Sequence, residues 1–137
     1  MKPKITIQTT LAAPVGKAWQ CYTEPVHIVN WNFAADSWHC PKAENDLRQG
    51  GKFCYTMAAK DGSFSFDFEG VYDEVELNKR IAYSLADGRH VEVLFDSNGT
   101  ETTVITNFDP EDLNPVEMQQ GGWQAILDNF KKHTEAQ

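Results

Sequence analysis

The stretch from Asn114 to Thr134 constrains this chain more than any other. Val116, Trp123, Ile126, Leu127, Phe130 and Thr134 recur at spacings that share one side of an α-helix, while Gln119, Gln120, Gln124, Asp128, Asn129 and Lys131 fill the other side. Asn114 suits an N-cap, Pro115 the first helical position, and Glu117 the acidic member of a capping box. Lys131, Lys132 and His133 fall in the last turn, where cations complement the helix dipole. A helix that is apolar on one side needs a surface to lie on, and the rest of the chain has to provide it. Gly121-Gly122 lies at its middle, where each glycine costs roughly 0.5–1 kcal/mol against alanine. Close approach of a backbone, partner or ligand beside Trp123 would account for the pair, and simple tolerance would account for it equally.

The surface is a succession of strands. Ile5, Ile7 and Thr9 alternate with Lys4, Thr6 and Gln8, which predicts a first strand with one buried face. Pro14 opens a short helix with Val15, Ala18, Trp19 and Tyr22 on one side, and Thr23 caps a second that runs through Val26 and Val29. From Asn30 to Trp38 the chain is apolar without periodicity, so it is expected to close the core or border a cavity. A meander follows. Phe53, Tyr55 and Met57 lead to Asp61-Gly62, then come Phe64, Phe66, Phe68, Gly70 and Tyr72. Ile81, Tyr83 and Leu85 lead to Asp87-Gly88; Val91, Val93 and Phe95 to Asn98-Gly99; Thr102, Val104, Thr106 and Phe108 make the last row. Gly70 within its row predicts a bulge or bend. Antiparallel strands followed by one long amphipathic helix make an α+β fold.

A length of 137 residues is read as one domain, 1–137, long enough to bury a sizeable core. The formal charge of −8 repels phosphate backbones and anionic lipid, so neither nucleic acid nor a membrane is expected as partner. The start, Met1 to Thr6, lacks the apolar run of a signal peptide, and no stretch reaches membrane-spanning length. Cys21, Cys40 and Cys54 show no C-x-x-C spacing, which predicts free thiols in a cytoplasmic protein.

Catalytic chemistry finds little footing. His39 and Cys40 are strand neighbours facing opposite ways, and His27, His90 and His133 fall in separate elements without ligand spacing, so no metal site or other cofactor is expected. There is no G-x-S-x-G, and Cys54 lies opposite the Phe53–Tyr55 row as a packed thiol. Asp67 and Glu69 share a strand face, but with the parity opposite to Phe66 and Phe68, which predicts a solvated acidic surface. No catalytic residue is assigned.

The element order resembles the START-like (SRPBCC, birch-pollen-allergen-like) helix-grip fold, a curved antiparallel sheet around a long C-terminal helix. Ala13-Pro14 with Trp19, Trp31, Asp46-Leu47-Arg48 with Gly50-Gly51, Phe68-Glu69-Gly70 with Tyr72, Arg80-Ile81, and Gly122-Trp123 with Leu127 are similar to the domain family named after the activator of heat-shock-protein 90 ATPase. The resemblance implies a cavity between sheet and long helix that takes a small apolar or amphipathic ligand. The family name implies a chaperone partner as the alternative, and a cyclase- or hydrolase-type enzyme is a third reading. Ordinary core packing is the first reading of the aromatic rows, and the resemblance raises a ligand wall to equal footing. The expected lining is Trp31, Phe33, Trp38, Tyr55, Met57, Phe66, Phe68, Tyr83, Phe95, Trp123 and Leu127.

Overall fold

The computed structural model describes residues 3–137. In chain order the elements are β1 (Ile5–Leu11), α1 (Val15–Thr23), α2 (Pro25–Ile28), β2 (Trp38–Asn45), β3 (Lys52–Ala59), β4 (Ser65–Glu76), β5 (Arg80–Leu85), β6 (His90–Ser97), β7 (Thr102–Phe108) and α3 (Val116–Glu135). The turns at Asp61-Gly62, Asp87-Gly88 and Asn98-Gly99 stand where hairpin chemistry puts them, and Leu77-Asn78-Lys79, with Asn78 at φ 63°, joins β4 to β5. Every pairing is antiparallel, in the order β1-β7-β6-β5-β4-β3-β2, so the first strand lies beside the last. The sheet curls into a half-barrel that grips α3, the helix-grip arrangement.

Strand parity assigns one face to the interior. Val91, Val93 and Phe95, Val104, Thr106 and Phe108, and Ile81, Tyr83 and Leu85 are buried, and the residues between them are more open. The long strand β4 buries only Tyr72 and carries Asp67, Glu69, Asp73, Glu74 and Glu76 on exposed positions. The register slips at Asp73, between Tyr72 and Glu74. The bulge therefore falls three residues beyond Gly70, where the row had predicted it. Gly70 has a different cause: a Cβ there would come 2.7 Å from the Ser84 carbonyl oxygen and 3.0 Å from the Phe53 ring. Gly51 is equally obligatory, because a side chain would run into the Asp46 carbonyl oxygen. That closeness lets the Gly50-Gly51 backbone clip β4 through Gly50 N–H to Tyr72 O (2.8 Å) and Tyr72 N–H to Gly51 O (2.9 Å).

The helix α3 closes the open side. Trp123 stacks on Phe108 with ring centroids 3.9 Å apart and planes 8° apart. Phe130 is fully buried against Tyr22 and Trp31. Gln124 Nε2 donates to the Gln8 carbonyl at 3.1 Å, so the polar side of the helix also covers part of the outer edge of β1. At the far end the Ala12 N–H donates to Glu135 at 2.8 Å.

Several details of the helices differ from the sequence expectation. The first helical N–H groups of α3, those of Met118 and Gln119, both bond the Pro115 carbonyl, so Pro115 is the N-cap and Asn114 is not. The Asn114 side chain turns back to Glu111, and Glu117 closes no capping box. Gln119, placed on the polar side by spacing, is instead buried: its Oε1 accepts from the Glu111 N–H and its Nε2 donates to the Glu111 and Asn114 carbonyls. Val116 is 45% exposed because the first turn precedes the sheet contact. Thr23 belongs to α1, where its hydroxyl donates to the Trp19 carbonyl, and Glu24 caps α2. Cys21, Cys40 and Cys54 are free thiols. No helix among the described residues is long and apolar enough to cross a membrane.

The glycine pair in α3 meets nothing within 4 Å of a Cβ added at either position. Close approach of this chain's own backbone is therefore not its reason. Gly121→Ala and Gly122→Ala are each expected to raise stability by about 0.5–1 kcal/mol, read as a higher denaturant midpoint with unchanged slope. A lower midpoint in both would mean that the pair serves a contact.

Candidate functional site

Between the sheet and α3 lies a cavity of about 270 Å³. Its floor is the inward row of the meander: Phe53, Tyr55 and Met57 from β3, Phe66, Phe68 and Tyr72 from β4, and Ile81 and Tyr83 from β5. The roof is Trp123, Ile126 and Leu127 from α3, and one end is closed by Tyr22, Thr23, Trp31 and Asn32. Ile7, Asn45, Arg89 and Thr106 complete it. The walls support one another through ring contacts, with Phe53 at 4.8 Å from Tyr83 and 5.2 Å from Tyr72, and Phe68 edge-on to Trp123 at 5.9 Å.

All four tyrosines of the chain line this one cavity. Burial pushes each phenol up: Tyr72 to about 12, and Tyr22, Tyr55 and Tyr83 also well above the ordinary value. They are neutral hydrogen-bonding groups at neutral pH and cannot serve as phenolate bases. Tyr72 donates to Asn45 Oδ1 at 2.5 Å, Asn45 Nδ2 donates to the Thr23 carbonyl at 2.7 Å, and the Tyr55 and Tyr72 hydroxyls lie 3.5 Å apart. This chain of bonds ties β2, β4 and α1 together across one end of the cavity. The Trp31 indole N–H donates to the Cys21 carbonyl at 2.9 Å and is structural.

Asn32 is different. Its Nδ2 is buried and has no hydrogen-bond partner. The neighbouring Cys40 sulfur is a weak acceptor whose own thiol donates to the Lys42 carbonyl. A buried amide donor left unpaired costs on the order of 1–3 kcal/mol. Arg89 is half-buried at the cavity, with Nε held 2.7 Å from Asp87 Oδ2.

Of the residues expected from sequence, Trp31, Tyr55, Met57, Phe66, Phe68, Tyr83, Trp123 and Leu127 meet at the cavity. Phe33, Trp38 and Phe95 do not. The Phe33 carbonyl accepts from Asn129 Nδ2 beside the helix, Trp38 packs outside on Phe64 and Phe66, and Phe95 is core against Trp19 and Tyr22. Tyr22, Phe53 and Tyr72 were legible as inward members of their rows. Asn32, Asn45 and Arg89 carried no such signal: Asn32 and Arg89 lie in irregular segments, and Asn45 ends β2, a strand without an apolar row. Histidines that spacing held apart also converge: His27 Nδ1 lies 2.9 Å from His133 Nε2.

A curled antiparallel sheet gripping a long C-terminal helix over an apolar cavity defines the helix-grip class. Residues 12–135 match the family model described as "Activator of Hsp90 ATPase homolog 1-like protein", and the chain belongs to that family. The solution structure of an AHSA1-like protein from Aeromonas hydrophila is 42% identical, with a TM-score of 0.91 over 97% of this chain and 92% of that one. A solution structure from Cytophaga hutchinsonii is 52% identical, with a TM-score of 0.84 and the same coverage. A Chromobacterium violaceum crystal structure, at 21% identity and a TM-score of 0.87 over 98% of this chain and 99% of that one, shares the fold. Among functionally curated proteins, none matches the chain.

The raised phenols predict the alkaline behaviour. A group whose folded value is raised contributes its stability in full below the unfolded value of 10, and that contribution is lost as pH rises above it. Ultraviolet titration should find none of the four tyrosines ionising near pH 10 while the protein is folded; all should ionise with alkaline unfolding. A phenol titrating near 10 in the folded state would show that the cavity is wet.

Proposed function

We propose that this chain binds a small amphipathic molecule in the cavity under α3, with a ring-sized apolar body and at least one acceptor oxygen. The observation that carries the reading is the cavity of about 270 Å³ itself, walled by aromatic side chains from both sheet and helix. A concave, mostly apolar site with a few polar groups at its wall is the usual place for a small ligand. Size narrows the ligand. Engineered cavities of about 150 Å³ take benzene, so 270 Å³ suits a body of one or two rings rather than a long lipid. The neutral tyrosines supply further polar contacts, and Arg89 at the cavity favours an acceptor that carries negative charge. Supported residues are Trp31, Asn32, Tyr55, Met57, Phe66, Phe68, Tyr83, Trp123 and Leu127.

A second reading rests on another observation. Phe64 and Phe66, 59% and 42% exposed, cluster with Trp38 at the tip of the β3–β4 hairpin beside exposed Asp61 and Asp67. An exposed aromatic patch rimmed by charge suits a protein partner, and the family description points to an Hsp90-type chaperone. Binding of purified Hsp90 that is lost in a Phe64→Ser, Phe66→Ser double variant would favour it.

An anilinonaphthalene dye tests the first reading. The folded protein should bind it saturably at one site, and Met57→Trp, which fills the floor, should weaken binding at least about tenfold, or 1.4 kcal/mol, with the circular dichroism unchanged. Asn32→Leu should leave the ligand-free protein as stable as before or more so, because an unpaired donor is removed. Equal dye binding in the parent and in Met57→Trp would sink the reading.

A further inference from the structure

The Cys21, His27 and His133 side chains come together although they belong to three helices. Their ligand atoms all lie within 4.8 Å of one another. Cys21 is the inward-facing residue two positions before the end of α1, His27 lies in the single turn of α2, and His133 is in the last turn of α3. The two imidazoles meet edge to face with centroids 5.1 Å apart. The sulfur is buried and both imidazoles are half-buried, so the cluster has a closed side and a side reached from solvent.

We propose that Cys21, His27 and His133 form a binding site for one zinc-class divalent ion, coordinated by one thiolate and two imidazole nitrogens with solvent in the fourth position. The donor types select this class: nitrogen and sulfur suit zinc, whereas calcium and magnesium take oxygen. A tetrahedral ion with bonds of about 2.0 Å to nitrogen and 2.3 Å to sulfur holds its ligand atoms about 3.3–3.6 Å apart. The imidazole nitrogens are 2.9 Å apart and no pair of ligand atoms is more than 4.8 Å apart. Side-chain rotations of a few tenths of an ångström to about 1 Å therefore suffice. The alternative occupant of the gap is the imidazole–imidazole hydrogen bond alone, which needs one neutral acceptor nitrogen and makes no use of the thiol.

The charges around the cluster permit a cation. Lys17 and Glu24 are the charged neighbours of the Cys21 sulfur and oppose each other. Burial and the neighbouring His27 hold His133 below its ordinary value, which favours the neutral, ligating imidazole. Burial pushes the Cys21 thiol up, so without metal it stays protonated; a bound dication supplies the charge that stabilises the thiolate and releases a proton. The ion would join α1 and α2 to the end of α3. Cys21 is followed by Tyr22 of the cavity wall, so the site is a clasp behind that wall, and it stands whether or not the cavity holds a ligand.

Cobalt(II) is the probe. Added to the chelator-treated full chain, one equivalent should give tetrahedral ligand-field bands and a thiolate-to-cobalt charge-transfer band, both displaced by zinc. His27→Gln and His133→Gln should each weaken binding at least about tenfold and abolish the rise in melting temperature that zinc gives the parent protein. Cys21→Ser should remove the charge-transfer band. A His39→Gln, His90→Gln double variant should behave as the parent. If Cys21→Ser fails to fold, the two half-buried histidines carry the test alone. The absence of a charge-transfer band in the parent, or its survival undiminished in both histidine variants, overturns the site.

Discussion

The Trp123 indole lying flat on Phe108 is the contact on which the rest of the architecture depends. Phe108 ends β7 and is paired on one side with Ile5 of β1 and on the other with Val91 of β6. The helix is therefore anchored where the first and last strands meet, at the most over-determined point of the sheet. Because α3 is held against that side, its next apolar residues face the β3–β5 half across a gap. The sheet curls towards that gap but does not fill it. A flat sheet would have met the helix along its whole length and left a packed core.

The gap persists because its walls brace themselves. Phe53 sits among Tyr55, Phe68, Tyr72 and Tyr83, and Gly70 gives its ring room against β4. The Tyr72–Asn45–Thr23 chain of hydrogen bonds secures one end with no contribution from a ligand. Asn32 stands outside this network, its buried amide beside the Cys40 sulfur.

Two neighbouring residues show how closely scaffold and chemistry are coupled here. Tyr22 lines the cavity, while Cys21, one residue earlier in the same helix, faces the histidines of α2 and α3. A change in how α1 sits against α3 is felt on both sides at once. Thr23, next in line, returns its hydroxyl to Trp19 and gives its carbonyl to Asn45, so the last turn of α1 has little freedom to move alone.

Periodicity and turn chemistry alone determined every strand but β2, which carries no apolar row, the hairpins at Asp61-Gly62, Asp87-Gly88 and Asn98-Gly99, the long C-terminal helix and the inward parity of Tyr55, Met57, Phe68 and Tyr83. These follow from local rules that act within a few residues, which is why they were legible. The helix start was not, because the Asn114 side chain turns back to Glu111 and Gln119 ties the Glu111 and Asn114 carbonyls, bonds that only the folded loop creates. Phe95 and Tyr83 have the same parity on adjacent strands, yet one packs under Trp19 and the other opens on the cavity. What separates them is the tilt of α1 and α3 over the sheet, a quantity no row of residues encodes. The unpaired Asn32 amide and the meeting of Cys21, His27 and His133 were decided in the same way, by the docking of three helices whose residues lie far apart along the chain.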